Sequence, residues 1–394
     1  MKFKLKKKCI ICNKVTPSKN KIQLSKLPIT EIFLNSPNYK NIYFDQKLSY
    51  CQKCHHLQLE KQYDTSYFYN NKYLTSSTQA YSGRYTNDIF YDFIFKKLNR
   101  NKKYKILEIG ANDLYLLKRM SKSILKAITI DPCIKPDKKL KRVKYIKNFL
   151  ENVNSNEIDF IPDIVVCGHT LEHIEDPEKF IKKITSLGDE KTKYFFQFPS
   201  CESLIDRRSF DQVHHQHLNF FSINSISKIL NKLDYNVKSY KICEHHYGSM
   251  MINFQYKNSD DKMSNLKIIP EKQSLKNIYG DYQIYIKNLI KIIEKYKKRD
   301  TKIYGVGASL MLPLVNYHLK DILNNIDGIL DDDKKKINKF FPKINSKILS
   351  LKKTNLEDSV AIICSTASSI TTRKLVEICK LKKAKLILVP SLSF

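Results

Sequence analysis

Four of the ten cysteines lie in two close pairs near the start of the chain, and their spacing suits metal binding. The pairs are Cys9-x-x-Cys12 and Cys51-x-x-Cys54. Each tight pair brings two thiolates to one tetrahedral ion, which is typical of zinc sites. Surface cysteines paired by coincidence are the alternative. Because four thiolates complete the coordination of zinc and leave no position for water, the spacing predicts a structural ion that needs neither His55 nor His56.

A glycine-containing loop follows a buried apolar strand and opens a helix. It reads Glu108-Ile-Gly110-Ala-Asn112-Asp113, and the next strand ends at Asp131. In a doubly wound sheet, ligands bind outside the strand ends, where Gly110 would let the backbone approach a cofactor and Asp131 would accept ribose hydroxyls. The loop has too few glycines for a dinucleotide fingerprint, and it has neither a pyrophosphate cradle nor a Walker lysine. The pattern therefore favours an adenosine without phosphates.

Histidine and glutamate follow the next strand in the segment Gly168-His169-Thr-Leu-Glu172-His173. The H-x-x-E-H spacing also fits an inverted zinc protease motif, but such a motif needs a helix and a third ligand. This segment instead begins at the carboxyl end of a strand. We therefore expect His169 and Glu172 to line the cofactor crevice, with capping or packing as an equal alternative.

Imidazoles are densest in His214-His215-Gln216-His217, which aromatic residues flank on both sides. An unperturbed histidine has a pKa of about 6.5, so these side chains are candidates for a general base. Metal binding is a competing functional interpretation. The alternative without a functional role is a run of solvent-exposed histidines.

Short apolar strands alternate with helical segments in two stretches, which predicts two doubly wound α/β units with parallel sheets. The first stretch has strands at 104–109, 124–130, 163–167 and 194–198, and the second has strands at 302–306, 326–330, 360–363 and 385–389. A Lys-rich helix at about 282–298 separates them. A polar, Cys-bearing module and a connector rich in Tyr and Asn precede both.

The formal charge of +31 raises nucleic-acid binding as a possibility, but lysines are spread along the whole chain, as expected for compositional bias. We expect no nucleic-acid partner. The basic start has no sustained apolar stretch after it, so we expect a cytoplasmic protein with no membrane partner.

The order of these landmarks resembles the SAM-dependent sugar C-methyltransferases, which modify nucleotide-linked 4-keto deoxysugars. Two further landmarks are Gly248-Ser249 and the strand end Tyr304-Gly-Val-Gly307-Ala-Ser309, so the resemblance covers nearly the whole chain. It implies an α/β protein with a zinc module (1–62), a class I methyltransferase (Rossmann-like) domain (63–240) and a second Rossmann-like C-terminal domain (241–394). It also implies that the sugar nucleotide lies between the last two domains.

Position by position, the family's Y-H-E-H motif falls on residues 214–217, so the resemblance implies that His217 is the catalytic base. His214 and Gln216 would assist, although they replace the family's Tyr and Glu, which suggests a changed substrate. Leu114 stands where the family usually has Gly. For binding, the resemblance and the loop pattern together assign Glu108, Gly110, Asn112, Asp131 and His169 to SAM, and Tyr73, His215 and Ser249 to the substrate.

The expected reaction begins when the base removes an acidic proton beside a ketone, after which the enolate carbon attacks the methyl group of SAM.

The open alternatives are O- or N-methylation of a sugar, RNA methylation, zinc-dependent nucleic-acid binding and a non-catalytic family member. We expect no cofactor at Gly305-Val-Gly307-Ala-Ser309, and we expect Asp331 and Asp332 at the surface or a pocket edge. A monomer or homodimer is expected.

Overall fold

The computed structural model describes residues 3–30, 43–63, 81–245, 248–258, 273–341, 344–365 and 369–392. The chain divides into two compact units. The first contains Met1–Ser18, Ser49–Glu202 and Gln216–Lys272, and the second contains Lys19–Leu48, Ser203–His215 and Gln273–Phe394. Each unit is therefore built from segments that are separated in the sequence, whereas the sequence suggested three consecutive domains.

Strands form the sheets of both units. In chain order they are β1 (Phe3–Leu5), β2 (Lys21–Pro28), β3 (Tyr43–Cys51), β4 (His56–Leu59), β5 (Lys61–Tyr63), β6 (Tyr104–Ile109), β7 (Ile124–Ile130), β8 (Val143–Ile146), β9 (Ile164–Gly168), β10 (Lys193–Pro199), β11 (Asn219–Phe220), β12 (Tyr235–Ile242), β13 (Ser249–Tyr256), β14 (Ile303–Val306), β15 (Gly328–Asp331), β16 (Ile348–Ser350), β17 (Val360–Ile363) and β18 (Leu386–Leu388).

The α-helices lie between these strands. They are α1 (Tyr81–Phe95), α2 (Tyr115–Arg119), α3 (Pro177–Thr185), α4 (Cys201–Arg207), α5 (Ile223–Lys232), α6 (Leu275–Lys297), α7 (Leu312–His318) and α8 (Ser369–Leu381). Helix α6 begins seven residues before the predicted start because Ser274 caps it, accepting the backbone N–H of Asn277 at 3.3 Å. No helix in the described part of the chain is long and apolar enough to cross a membrane.

The first unit contains a seven-stranded sheet in the order β12-β13-β10-β9-β6-β7-β8. Strands β8, β7, β6, β9 and β10 are parallel, whereas β13 is antiparallel to both of its neighbours. The chain runs outward from β6 through β7 to β8, and then returns to β9 on the other side of β6. The carboxyl ends of β6 and β9 therefore flank a topological switch point, where open α/β sheets bind ligands.

Both faces of this sheet are buried, which explains the continuous apolar runs of its central strands. On one face, Phe90 and Ile94 of α1 pack against Ile106 of β6 and Phe195 of β10. On the other face, side chains of α3 and α5 pack against the alternate strand positions. The unit is thus a three-layer α/β/α structure whose strand ends hold the loops of the site.

Short strands accompany this sheet in the first unit. Strand β1 pairs with β5, and β11 pairs with β4, both antiparallel. Strand β4 follows the second cysteine pair directly, so its pairing with β11 holds the chain near Cys54 to the segment that follows the histidine cluster.

The second unit contains a five-stranded sheet in the order β16-β15-β14-β17-β18, and all of its pairings are parallel. Tyr304, Val306, Leu330 and Ile363 form its core, with Leu375 of α8 packed against them. This order has a switch point between β14 and β17. The prediction of two doubly wound α/β units is confirmed by the two sheets.

Candidate functional site

Gly110 forms the sharp bend after β6 at the switch point of the first unit. Its φ angle is +74°, and its N–H donates to the carbonyl of Ile130 at 2.9 Å. A methyl group added at Gly110 would clash with Oγ1 of Thr170, which lies in the loop after β9. The absence of a side chain therefore lets the loops after β6 and β9 approach each other.

Asp131 lies directly after β7 with its carboxylate fixed by two backbone groups. Asn112 N–H donates to Oδ2 at 2.8 Å, and Cys133 N–H donates to Oδ1 at 2.6 Å. Burial raises the pKa of Asp131, although both N–H groups oppose the shift. Each oxygen keeps a lone pair, so the carboxylate is held rigidly beside the glycine loop and can still accept from a ligand.

Glu108 is buried on β6, two residues before Gly110, and is 5% exposed. Its Oε2 has no hydrogen-bond partner among the described residues. Burial, reinforced by the charges of Asp131 and Asp113, raises the pKa of Glu108 to about 8. This part of the site therefore has an excess of acceptors and would be stabilised by a cation.

The loop after β9 contains the 3-10 turn Leu171–His173, which carries Glu172 and His173. His169 lies just before this turn. His169 Nδ1 lies 3.1 Å from Glu172 Oε1, and His169 Nε2 lies 3.3 Å from Ser249 Oγ, at the start of β13. Glu172 is fully buried, which raises its pKa to about 7, and burial lowers the pKa of His169 to about 4. These groups form a connected polar cluster at the sheet edge.

The same loop contacts the histidine cluster. His173 Nδ1 lies 2.9 Å from the carbonyl oxygen of Gln216, and the rings of His173 and His217 have centroids 5.1 Å apart. His217 is 8% exposed and also packs edge-to-face against Phe220. The loop after β9 therefore joins the glycine loop at Thr170 to the predicted base at His217, within one unit.

Residues 82–240 match a family model described as a methyltransferase domain. The match contains the glycine loop, Asp131, the loop after β9 and His217, on a sheet whose strands, numbered in chain order, lie as 3-2-1-4-5-7-6. Residues 82–240 form a methyltransferase domain. The expectation of a class I methyltransferase fold is confirmed.

Solved structures similar to part of this chain include the following methyltransferases. Magnesium protoporphyrin IX methyltransferase from Synechocystis, with bound SAH, is 12% identical over 45% of this chain and 84% of its own, with a TM-score of 0.37. An N-methyltransferase from Bradyrhizobium japonicum, in complex with SAH, is 11% identical over 46% and 90%, with a TM-score of 0.36. A SAM-dependent methyltransferase from Clostridium acetobutylicum is 12% identical over 44% and 92%, with a TM-score of 0.33. Likenesses this distant do not bear on the substrate. A comparison with curated proteins found no match.

The four N-terminal cysteines converge outside the methyltransferase domain's matched residues. Their sulfur atoms all lie within 4.8 Å of one another, with Cys9 and Cys54 at 3.5 Å and Cys12 and Cys51 at 3.4 Å. In each pair a backbone N–H donates to the first cysteine's carbonyl, from Asn13 at 2.8 Å and from His55 at 2.7 Å. His55 Nδ1 lies 2.7 Å from the Tyr50 hydroxyl. The cluster can therefore hold a metal ion with sulfur ligands.

The remaining predicted site residues are distributed differently. His214 and His215 belong to the second unit and are buried, and His215 Nε2 lies 3.0 Å from the carbonyl oxygen of Leu27 in that unit. The neighbouring Gln216 belongs to the first unit with its side chain also buried. Tyr73 lies outside the described residues.

One member of the polar cluster, His173, was not predicted as a site residue from the sequence. His173 was noted within the H-x-x-E-H segment, but no site role was given to it. Its contact with Gln216 spans 43 residues, and no local pattern predicts such a contact. The H-x-x-E-H spacing was the available signal, since it places two imidazoles on either side of one carboxyl group.

Proposed function

We propose that this methyltransferase transfers a methyl group to a carbon beside the ketone of a nucleotide-linked deoxysugar. The observation that carries the proposal is the continuous contact from Gly110 through the loop after β9 to His217. It puts a buried imidazole, the side chain suited to removing a proton near neutral pH, close to the loop that would hold the methyl donor.

The residues of the glycine loop fit SAM. Gly110 lets the loop after β9 approach the bend, Asp131 offers fixed acceptors for ribose hydroxyls, and Oε2 of Glu108, which has no hydrogen-bond partner among the described residues, suits a cationic ligand. Asn112, whose N–H holds Asp131, and His169 would complete this binding site. When bound, SAM supplies an electrophilic methyl group, and its sulfonium becomes a neutral thioether.

His217 would take the proton from the carbon beside the ketone, which leaves an enolate on the sugar. Because the negative charge develops on the ketone oxygen, a nearby donor must stabilise it. The amide of Gln216 would assist the base, and Ser249 would bind the substrate. The chain's excess of basic residues, 70 against 39 acidic, would attract the phosphates of a nucleotide.

The Cys9, Cys12, Cys51 and Cys54 cluster would hold a structural zinc ion. Sulfur-only donors, the two tight backbone turns and the close approach of all four sulfur atoms support this assignment. With four thiolates bound, the ion would have no open position for a substrate. Its role would be to stabilise the fold of the N-terminal segment.

The test is to incubate the full chain with SAM and a panel of nucleotide-linked 4-keto deoxysugars, and to follow product mass and proton exchange in deuterated buffer. We expect a gain of one methyl group and exchange of the proton beside the ketone. His217→Asn should reduce turnover by about 10²- to 10⁴-fold, while its affinity for SAH stays at the wild-type level. Methylation without exchange would indicate an O- or N-methyltransferase, and unchanged turnover in the variant would remove His217 as the base.

A further inference from the structure

The carboxyl group of Glu172 is the centre of the polar cluster in the loop after β9. Its Oε1 lies 3.1 Å from His169 Nδ1 and 3.9 Å from His173 Nε2, so it faces imidazoles on both sides along the chain. Its Oε2 has no hydrogen-bond partner among the described residues, and the side chain is 1% exposed. Burial of an ionised carboxylate is unfavourable unless nearby groups donate hydrogen bonds to it or carry the opposite charge.

The protonation of the His173 ring follows from its contacts. Nδ1 lies 2.9 Å from the carbonyl oxygen of Gln216, which can only accept, so Nδ1 carries a proton. In the neutral ring, Nε2 then holds the lone pair and faces Glu172. A lone pair opposite a carboxylate is repulsive, and a proton on Nε2 would make the same contact attractive. An ionised Glu172 therefore raises the pKa of His173, against the lowering by burial.

The His169 ring is oriented by contacts at both nitrogens. An ionised Glu172 accepts from Nδ1–H, which leaves Nε2 to accept the hydroxyl proton of Ser249 at 3.3 Å. This arrangement satisfies both ring nitrogens with a single tautomer. His169 has a φ of +48°, so its backbone also depends on contacts that compensate the strain.

We propose that Glu172 is a positioning residue, whose carboxylate fixes the His169 ring and sets a negative charge beside His173 and the adjacent His217. The titratable groups around it are His169 and His173 on its own loop, Cys167 at the end of β9, and His217. The catalytic consequence rests on the proposed function, because the charge would stabilise an imidazolium formed when His217 takes a proton from the substrate.

A metal ion is the competing use of the same groups. One ligand atom each from Glu172, His173 and His217 lies within 4.8 Å of the others. The 3.1 Å contact between His169 Nδ1 and Glu172 Oε1 favours positioning by the carboxylate, because Oε1 already accepts a hydrogen bond.

The direct test is NMR of the histidine ring nitrogens in the full, zinc-loaded chain labelled with ¹⁵N-histidine. Glu172→Gln keeps the shape of the side chain and removes its charge. We expect the pKa of His173 to fall by about one unit or more and the ring-nitrogen shifts of His169 to change. Glu178→Gln, which removes a partly exposed charge on α3, is the matched control and should change neither.

Identical histidine spectra and titrations in wild type and Glu172→Gln would overturn the proposal, as would broadening of the His173 and His217 signals at stoichiometric Co²⁺. This readout needs no substrate, so it is independent of whether the sugar assignment holds. Where a keto-sugar is turned over, Glu172→Gln should lower kcat by about 10- to 100-fold with unchanged SAH affinity. An unchanged kcat would contradict the catalytic part of the proposal.

Discussion

Glu108 shows how a single buried carboxyl group links stability to ligand charge. Its pKa in the folded chain is about 8, above the ordinary 4.5, because burial disfavours the ionised form. The folded state therefore holds the proton more tightly than the unfolded state. Its stabilising effect is complete below about pH 4.5 and is lost as the pH rises toward 8.

From this we expect the first unit to lose stability between about pH 5 and 8, by up to about 1.4 kcal/mol per pH unit from this group. Glu108→Gln should flatten that slope and weaken SAM binding, because the ionised carboxylate would face the cationic ligand. Unfolding midpoints at several pH values and calorimetry with SAM measure the two effects. Glu190→Gln, at an exposed position, is the control, and a slope equally steep in Glu108→Gln would contradict the expectation.

Residue-level prediction from the sequence worked where the contact is set by adjacent strands. Asp131 and Gly110 were identified together because parallel neighbours bring their carboxyl ends to one edge, and the backbone bonds of Asp131 are the result. The contact of His169 with Ser249 could not be derived in that way. It spans 80 residues and depends on where β13 enters the sheet.

At the scale of elements, the loops after the first strand of each sheet have similar backbone hydrogen bonds. In the second unit, Gly307 N–H donates to Leu330 O at 2.8 Å, and Ala308 N–H donates to Asp331 Oδ2 at 2.8 Å. The bond of Gly307 matches that of Gly110, and the bond to Asp331 resembles that of Asn112 to Asp131, although its donor lies one residue after the glycine instead of two. The bend is therefore a property of the strand-loop-strand element, whereas the buried Glu108 is particular to the first unit, since Gly305 stands two residues before Gly307.

Strand positions were predictable where burial on both faces gives a continuous apolar run, as in β9 and β17. Strand β8 was missed because only Ile146 of its residues is buried. Its sequence is therefore no more apolar than that of a loop. Strand β13 was not expected in the first sheet, because the predicted C-terminal domain begins at residue 241. It pairs antiparallel with β10, and this pairing depends on contacts across the sheet that the local sequence pattern does not contain.

The β6 bend yields a prediction with a matched control. Gly110→Ala forces a side chain into positive φ and against Thr170, so it should lower the unfolding midpoint and abolish detectable SAM binding. Gly280→Ala, in α6, adds a methyl group with nothing within 4 Å and should stabilise the chain by about 0.5–1 kcal/mol. Thermal unfolding and calorimetry of both variants decide this, and equal behaviour of the two would contradict it.

At the scale of the whole molecule, the first unit is assembled from chain segments that are far apart in sequence. The chain leaves it after Ser18, contributes residues 19–48 to the second unit, and returns at Ser49. Cys9 and Cys12 precede residues 19–48 in the sequence, and Cys51 and Cys54 follow them. A metal ion bound to all four would close the intervening loop and hold the N-terminal segment to the rest of its unit.

This arrangement predicts one zinc ion per purified chain and a large stability loss when a ligand is removed. Because metal binding free energy is folding free energy in such sites, Cys12→Ser should lower zinc well below one per chain and the unfolding midpoint by about 5 °C or more. Cys133→Ser, at a half-buried cysteine outside the cluster, should keep the full zinc content. Elemental analysis and thermal unfolding measure both effects. A wild-type chain purified without zinc, or a Cys12→Ser chain that retains it, would show that the four sulfur atoms hold no structural ion.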